Sequence, residues 1–187
     1  MREMIDKIVP LEKEKWRGYH LDYRAVNHSY YDVEVNRTND GFQVSFMKKP
    51  FGVPHENNGH DKLFQPWWDD DDVKAWGIVE GDKLLAAIET TVEDWNNRLR
   101  VTELWVDHNH RRQGIAEALM DIAMQRAKDE KRRAVVLETQ ARNEVAVAFY
   151  LKYGFSLIGF DACAYENNDL DSKKVRMEMG ILLDCNS

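Results

Sequence analysis

Residues 99–128 read LRVTELWVDHNHRRQGIAEALMDIAMQRAK, and the fold turns on how this stretch is divided. Val101–Val106 is β-branched or apolar at most positions, the composition of a buried strand. Asp107–His110 is polar and leads into Arg111-Arg112-Gln113-Gly114-Ile115-Ala116. From there Ile115, Leu119, Ile122, Ala123 and Ala127 recur at helical spacing and form one apolar stripe. The start of a helix leaves four backbone N–H groups unpaired, and with the helix dipole these attract phosphate. Gly114 opens the main chain to a ligand, Ala116 adds little bulk, and Arg111 and Arg112 bring positive charge. A strand, a donor-rich loop and a helix in this order make a cradle for a pyrophosphate. An ordinary strand–loop–helix crossover with a glycine near the cap reads the same way from these six residues alone.

Outward from this stretch the chain alternates strands and helices. Trp95–Arg98 reads as a turn, and before it Ala75–Val79 and Leu84–Val92 flank Glu80-Gly81-Asp82 as a hairpin. After the cradle helix, which runs to about Glu130, come a strand over Ala134–Thr139 and a helix over Glu144–Tyr153. Strands over Ser156–Phe160 and Val175–Leu183 follow. Asn143 suits the N-cap of the second helix and Gly154 its C-terminal cap. Towards the amino terminus, Met4–Pro10 is expected to be a strand ended by its proline. In Leu11–Val26 the aromatic spacing of Trp16, Tyr19 and Tyr23 favours a helix, although aromatics also suit a strand. Ser29–Asn36 alternates as a strand does, and Asn39-Asp40-Gly41 turns into Phe42–Met47. Pro50–Pro66 holds three of the four prolines and no period, which predicts an extended loop. The expected architecture is α/β (α+β): a mixed central β-sheet flanked by helices, in a single domain over 1–187 with its core near 99–160.

Composition narrows the function. A chain of 187 residues can bury about 70% of its unfolded surface in one domain. Two cysteines, Cys163 and Cys185, are too few for a disulfide framework. No run approaches a membrane span, and MREMIDKIVP lacks a secretory apolar core, so a cytoplasmic setting is expected. The net charge of −7 disfavours nucleic acid and suits a cationic small molecule. The run Asp69–Asp72 after Trp67-Trp68 reads as a solvated acidic face or helix start, or as a wall attracting a polycation. His108/His110 and His55/His60 lack a ligand framework, so no metal is expected. Cys163 has no nucleophile context.

The pattern Arg-x-x-Gly-x-Ala at Arg111–Ala116, after a strand containing Glu103, is followed by Asn143–Phe155, NEVAVAFYLKYGF. Together they resemble the GNAT superfamily of N-acetyltransferases, which implies the acyl-coenzyme A N-acyltransferase fold and acetyl transfer from acetyl-coenzyme A to an amine. The resemblance implies that main-chain donors of Arg112, Gln113, Gly114, Ile115 and Ala116, with Arg111, hold the pyrophosphate. The edge of Leu104-Trp105-Val106 would pair with the peptide-like pantetheine, as an added strand does. The N–H of Leu104 would hold the developing negative charge of the thioester oxygen. Asn143 would bond the pantetheine unless it only caps its helix. In Phe149-Tyr150-x-x-x-Gly154-Phe155, Tyr150 falls on the family's proton-donor position, whereas Tyr153 reads as packing.

The acceptor must lose a proton before it attacks. An amine with pKa near 10.4 is neutral in roughly one molecule in two thousand at pH 7, a shortage of about 4.5 kcal/mol that calls for a base. Glu103, beside the thioester, is the first candidate and Glu138 in the next strand the second. A buried, paired structural glutamate is the competing reading of Glu103, and a bulge would redirect it.

Gly159–Asn167 (GFDACAYEN) and Val92–Leu99 (VEDWNNRL) look like the streptothricin (nourseothricin) acetyltransferases. That likeness implies a cationic antibiotic bearing a β-lysine amine, held by Asp161, Tyr165 and Glu166, and hence antibiotic resistance. Polyamines, other small amines, protein lysines and a non-catalytic acyl-coenzyme A sensor stay open as alternatives, as does a homodimer.

Overall fold

The computed structural model describes residues 2–65 and 72–183. In chain order its elements are α1 (Arg2–Ile5), β1 (Ile8–Leu11), α2 (Lys13–Trp16), β2 (His20–Arg37), β3 (Phe42–Lys62), β4 (Lys74–Glu80) and β5 (Lys83–Glu93). They continue with β6 (Arg98–Val106), α3 (Ile115–Asp129), β7 (Ala134–Gln140), α4 (Glu144–Tyr153), β8 (Ser156–Asp161), α5 (Asp169–Ser172) and β9 (Arg176–Leu182). The chain divides into two units, the first Met1–Tyr23, Gly59–Leu137 and Ile181–Ser187, the second Arg24–Asn58 and Glu138–Gly180. Neither unit is a continuous segment, so no linker marks a boundary in the sequence.

In the first unit β1, β4, β5, β6 and β7 are neighbours in that order. The first three pairings are antiparallel and β6–β7 is parallel, which makes the sheet mixed. The parallel step needs a crossover, and α3 supplies it. Ile115, Leu119, Met120, Ala123 and Ala127 of α3 are buried, while Ile122 of the expected stripe is only half-buried. Truncating Leu119, which is 0% exposed, to alanine costs about 2–5 kcal/mol. A further core gathers Leu11, Trp16, Leu21, Leu63, Phe64 and Trp105.

In the second unit β2 and β3 form a two-stranded ribbon turned at Thr38–Gly41, where Thr38 N donates to Gly41 O at 2.8 Å. β8 and β9 pair antiparallel, and the rings of Phe46 and Phe160 meet edge to face at 5.3 Å. Every strand and helix expected from Ala75 onward is present, with ends within three residues; the largest difference is β6, which begins at Arg98 rather than Val101.

The amino-terminal third differs. Only Lys13–Trp16 of Leu11–Val26 is helical, and the chain is extended from His20. Leu21 is buried between exposed His20 and Asp22, a period of two that the tyrosine spacing masks. Pro50–Pro66 is no loop up to Lys62 but the second half of β3. Each strand of a two-stranded ribbon has one unpaired edge, and Pro50 and Pro54, four apart, present their missing N–H groups on one edge. Pro10 likewise sits inside β1, which pairs with β4 alone, rather than ending it. Cys185 and Trp67–Asp71 of the acidic run lie outside the described residues. Among the described residues no helix is long and apolar enough to cross a membrane.

Candidate active site

β6 carries the first half of the candidate site. Its register with β5 pairs Glu103 with Glu89 and Val101 with Thr90, leaving Thr102 unopposed as a bulge. Its register with β7 runs only from Arg98↔Ala134 to Val101↔Leu137. The last five residues of β6, including Leu104-Trp105-Val106, therefore lie beyond the pairing with β7. Their open edge matches what a peptide-like arm requires. Trp105 is fixed from behind, its Nε1 donating to Asp22 O at 2.9 Å.

The loop after β6 is held from both sides. Asp107 N donates to Leu85 O at 2.9 Å, and Asp107 Oδ1 accepts from Asn109 N at 3.0 Å. Arg111 Nε donates to Val106 O at 3.0 Å, so this arginine staples the loop to its strand. Arg112 is exposed and has φ 61°, and Gly114 has φ 80°. A Cβ added to Gly114 would meet only Ile5 Cδ1, at 3.8 Å, so left-handed backbone rather than crowding demands glycine here. Gly114 caps α3 with no side-chain hydrogen bond to the first turn. Ile115 points into the core and offers only its main chain. Gln113 and Ala116 are half-buried beside it.

Glu103 is 8% exposed, and Tyr23 Oη donates to its Oε2 at 2.5 Å. Burial pushes its carboxyl up to about 9; the Tyr23 bond opposes that, while the charges of Asp61 and Glu89 and a hydrogen bond with Asp61 add to it. Glu89 is 0% exposed and accepts from Phe64 N at 2.5 Å and Thr102 Oγ1 at 2.8 Å. Burial raises its carboxyl too. At neutral pH the resting Glu103 is thus a carboxylic acid.

The second unit carries the remaining candidates. Asn143 Oδ1 accepts from Ala146 N at 3.3 Å, the helix-capping duty, and Gly154 closes α4 at φ 115°. Asn27 Oδ1 accepts from Val145 N at 3.2 Å. Glu144 Oε2 accepts from His28 N and Ser29 N, each at 2.9 Å, and its Oε1 pairs with Lys48 at 2.7 Å. The start of α4 is thereby anchored to β2 and β3. The Tyr150 ring lies 5.5 Å from Phe149 and 5.7 Å from Phe155; Tyr153 lies 6.2 and 6.0 Å from the same rings. Packing does not distinguish the two tyrosines, and only the motif spacing singles out Tyr150.

Glu138 pairs with Arg176 at 2.7 Å and accepts from Tyr165 Oη at 3.4 Å. Burial, then the Glu138 charge, raises the Tyr165 phenol. Glu138 and Tyr165 therefore come together. Asp161 and Glu166 do not join them: Asp161 Oδ1 accepts from Cys163 N at 2.9 Å, and Glu166 pairs with Lys174 at 2.5 Å. Among the described residues no cluster of three or more His, Cys, Asp or Glu side chains could hold a metal.

Sequence reasoning missed Tyr23, Asp61 and Glu89. Tyr23 fell in the segment read as helix and Asp61 in the segment read as loop. The alternation of Tyr19, Leu21 and Tyr23 with His20, Asp22 and Arg24 was the available signal.

A model of the acetyltransferase (GNAT) family matches residues 41–155. Streptothricin acetyltransferase of Escherichia coli is 31% identical over 108 residues, 58% of this chain and 62% of that protein. The Streptomyces lavendulae streptothricin acetyltransferase is 28% identical over 139 residues, 71% of this chain and 72% of that one. The match thus spans less than two thirds of the Escherichia coli relative. A crystal structure of nourseothricin acetyltransferase superposes with a TM-score of 0.71 over 94% of this chain and 98% of its own. At 24% identity that likeness is one of fold.

Proposed function

Because the chain belongs to the acetyltransferase (GNAT) family, we propose that it transfers acetyl from acetyl-coenzyme A to a primary amine, and that the amine is the β-lysine amine of streptothricin. The observation that carries the acceptor is the 31% identity to a streptothricin acetyltransferase over 108 residues. The acidic character of the chain and the carboxyls around Glu103 agree with a cationic acceptor.

Acetyl-coenzyme A supplies an activated acyl group as its thioester. The main-chain donors of 112–116, beside exposed Arg112, bind its pyrophosphate. The open edge at Leu104–Val106 pairs with the pantetheine, and Leu104 N–H faces the thioester oxygen as negative charge builds there. Glu103 takes the proton of the acceptor ammonium, freeing the nitrogen lone pair for attack. Glu138, already paired with Arg176, is the lesser candidate for that step. Tyr150 supplies the proton that the departing thiolate needs. Asp161, Tyr165 and Glu166 attract the cationic acceptor. Such an enzyme acts in the cytoplasm, where acetyl-coenzyme A is made, and protects its host from the antibiotic. Thiol release from acetyl-coenzyme A with streptothricin set against spermidine tests this reading.

A further inference from the structure

We propose that Glu89 is a positioning residue of the acetyl-coenzyme A site: its carboxyl pins the point at which β6 leaves β7 and so fixes the open edge at Leu104–Val106. This rests on the acetyl-transfer reading above and adds Glu89 and Thr102 to it as residues that act through the main chain. The pairing of β6 with β7 ends at Val101↔Leu137, and the next residue, Thr102, is the bulge against β5. The edge assigned to the pantetheine therefore starts where an extra residue bends and twists the strand. Thr102 Oγ1 donates to Glu89 Oε1 at 2.8 Å, and Phe64 N donates to Glu89 Oε2 at 2.5 Å. Both oxygens of one carboxyl, on a residue 0% exposed, are thus engaged in holding two other pieces of chain.

Phe64 is the second piece. Its φ of 55° is a left-handed conformation that a bulky residue rarely adopts, and its side chain is buried in the core that also holds Leu63, Ala87 and Trp105. A buried N–H left without an acceptor is costly, so the bond to Glu89 stabilises this turn. Beside it Gly18 N donates to Leu63 O at 2.9 Å and Leu63 N to Tyr19 O at 3.1 Å, which makes the turn a firm anchor for the carboxyl. The open half of β6 is consequently fastened at three points. Glu89 holds Thr102, Asp22 O accepts from Trp105 Nε1 at 2.9 Å, and Val106 O accepts from Arg111 Nε at 3.0 Å. The last two grip residues beyond the bulge, whereas Glu89 acts at the bulge itself, where the direction of the strand is set. A peptide-like arm that pairs with this edge needs its main-chain groups in one fixed register.

The experiment compares Thr102→Val, Thr102→Ser and Glu89→Gln with the wild type. Ile78→Ala, a core truncation in β4 two strands away from β6, measures the effect of general destabilisation. Calorimetry gives the acetyl-coenzyme A Kd, hydrogen exchange the opening of the main chain, and thermal melting the integrity of the fold. Thr102→Val keeps the shape and removes the donor, so Kd should rise about tenfold, the scale of one hydrogen bond. Exchange should quicken over 103–106 and keep its wild-type rate over 98–101, which β7 still pairs. Thr102→Ser returns the hydroxyl and should restore both. Glu89→Gln keeps one oxygen for Phe64 N and turns its NH2 towards Thr102, whose hydroxyl can accept instead, so Kd should stay within about threefold. A folded Thr102→Val with wild-type Kd and exchange, or with a Kd raised no further than in Ile78→Ala, overturns the proposal. If no amine is acetylated, the transfer reading fails, yet affinity and exchange still decide whether Glu89 positions the edge.

Discussion

Glu89 and Glu103 face each other across the β5–β6 pair, and the bulge residue Thr102 donates its hydroxyl to Glu89 at 2.8 Å. Two like charges placed opposite in a sheet destabilise it, and burial raises both carboxyls. The bulge beside the open edge of β6 thus places two carboxyls, both raised by burial, beside the segment assigned to the thioester.

Replacing Glu103 by glutamine keeps the shape and removes the proton acceptor. Turnover should fall roughly 10²- to 10⁴-fold, the range of acid–base catalysis. Stability should respond in the opposite sense. The folded carboxyl titrates near 9, above its unfolded value, so the fold holds a proton that the unfolded chain releases. The wild type is therefore penalised increasingly from about pH 4.5 up to 9, and the penalty is absent below that window. Glu103→Gln should gain stability relative to wild type as pH rises from 5 to 9 in urea titrations. A gap that does not change with pH contradicts a buried neutral Glu103.

Gly114 is expected to be irreplaceable for two separable reasons. Its φ of 80° makes Gly114→Ala cost about 1–2 kcal/mol in backbone strain, read as a lower Tm. Gly114→Glu adds a negative charge where phosphates approach the main chain, so acetyl-coenzyme A affinity should be lost beyond the alanine effect. Calorimetry showing unchanged affinity in folded Gly114→Glu rules out the cradle.

Tyr150→Phe keeps the ring among Phe149 and Phe155 and removes the hydroxyl. Turnover should drop about 10²-fold with substrate affinities nearly unchanged. Tyr153→Phe serves as the comparison and should have no such effect. Equal losses in both variants point to packing rather than proton donation.

The carboxy-terminal half was legible because local signals agree there. β6 is β-branched or apolar at most positions from Val101 to Val106, α3 has its stripe, and Asn143 and Gly154 mark both ends of α4. The amino-terminal third was legible only in part. Ser29–Asn36, the turn at Asn39–Gly41 and Phe42–Met47 fall in β2, its turn and β3, whereas 20–26 and 50–62 do not read as strand because aromatic spacing and prolines hide their extended course. The ribbon's prolines are tolerated only since each strand has one free edge. The site suffered from the same gap. Glu103 could be named from its strand, but Tyr23 and Asp61 reach it from the ends of the misread segments. Glu144 looked like an ordinary first-turn acid, yet its carboxylate binds main-chain donors of β2, over a hundred residues away in sequence.

Glu144 therefore makes a stability prediction of its own. Its bonds to Lys48, Ser29 and His28 hold its carboxyl down at about 2. A depressed carboxyl stabilises the fold fully above its unfolded value, near 4.5, and loses that contribution as pH falls towards 2. Glu144→Gln should cost about 1–3 kcal/mol at pH 7, the scale of a hydrogen bond to a charged group. Denaturant titrations should show the cost shrinking below pH 4.5. A cost that persists at pH 2 means the charge is not what anchors α4.

The proposed acceptor, streptothricin, is tested most directly by kcat/KM from thiol release with streptothricin, spermidine and a lysine-bearing peptide. The account predicts streptothricin ahead of both by about 10²-fold or more, the discrimination a site built for a substrate's polar groups can reach. Turnover of spermidine or the peptide with streptothricin left untouched contradicts it.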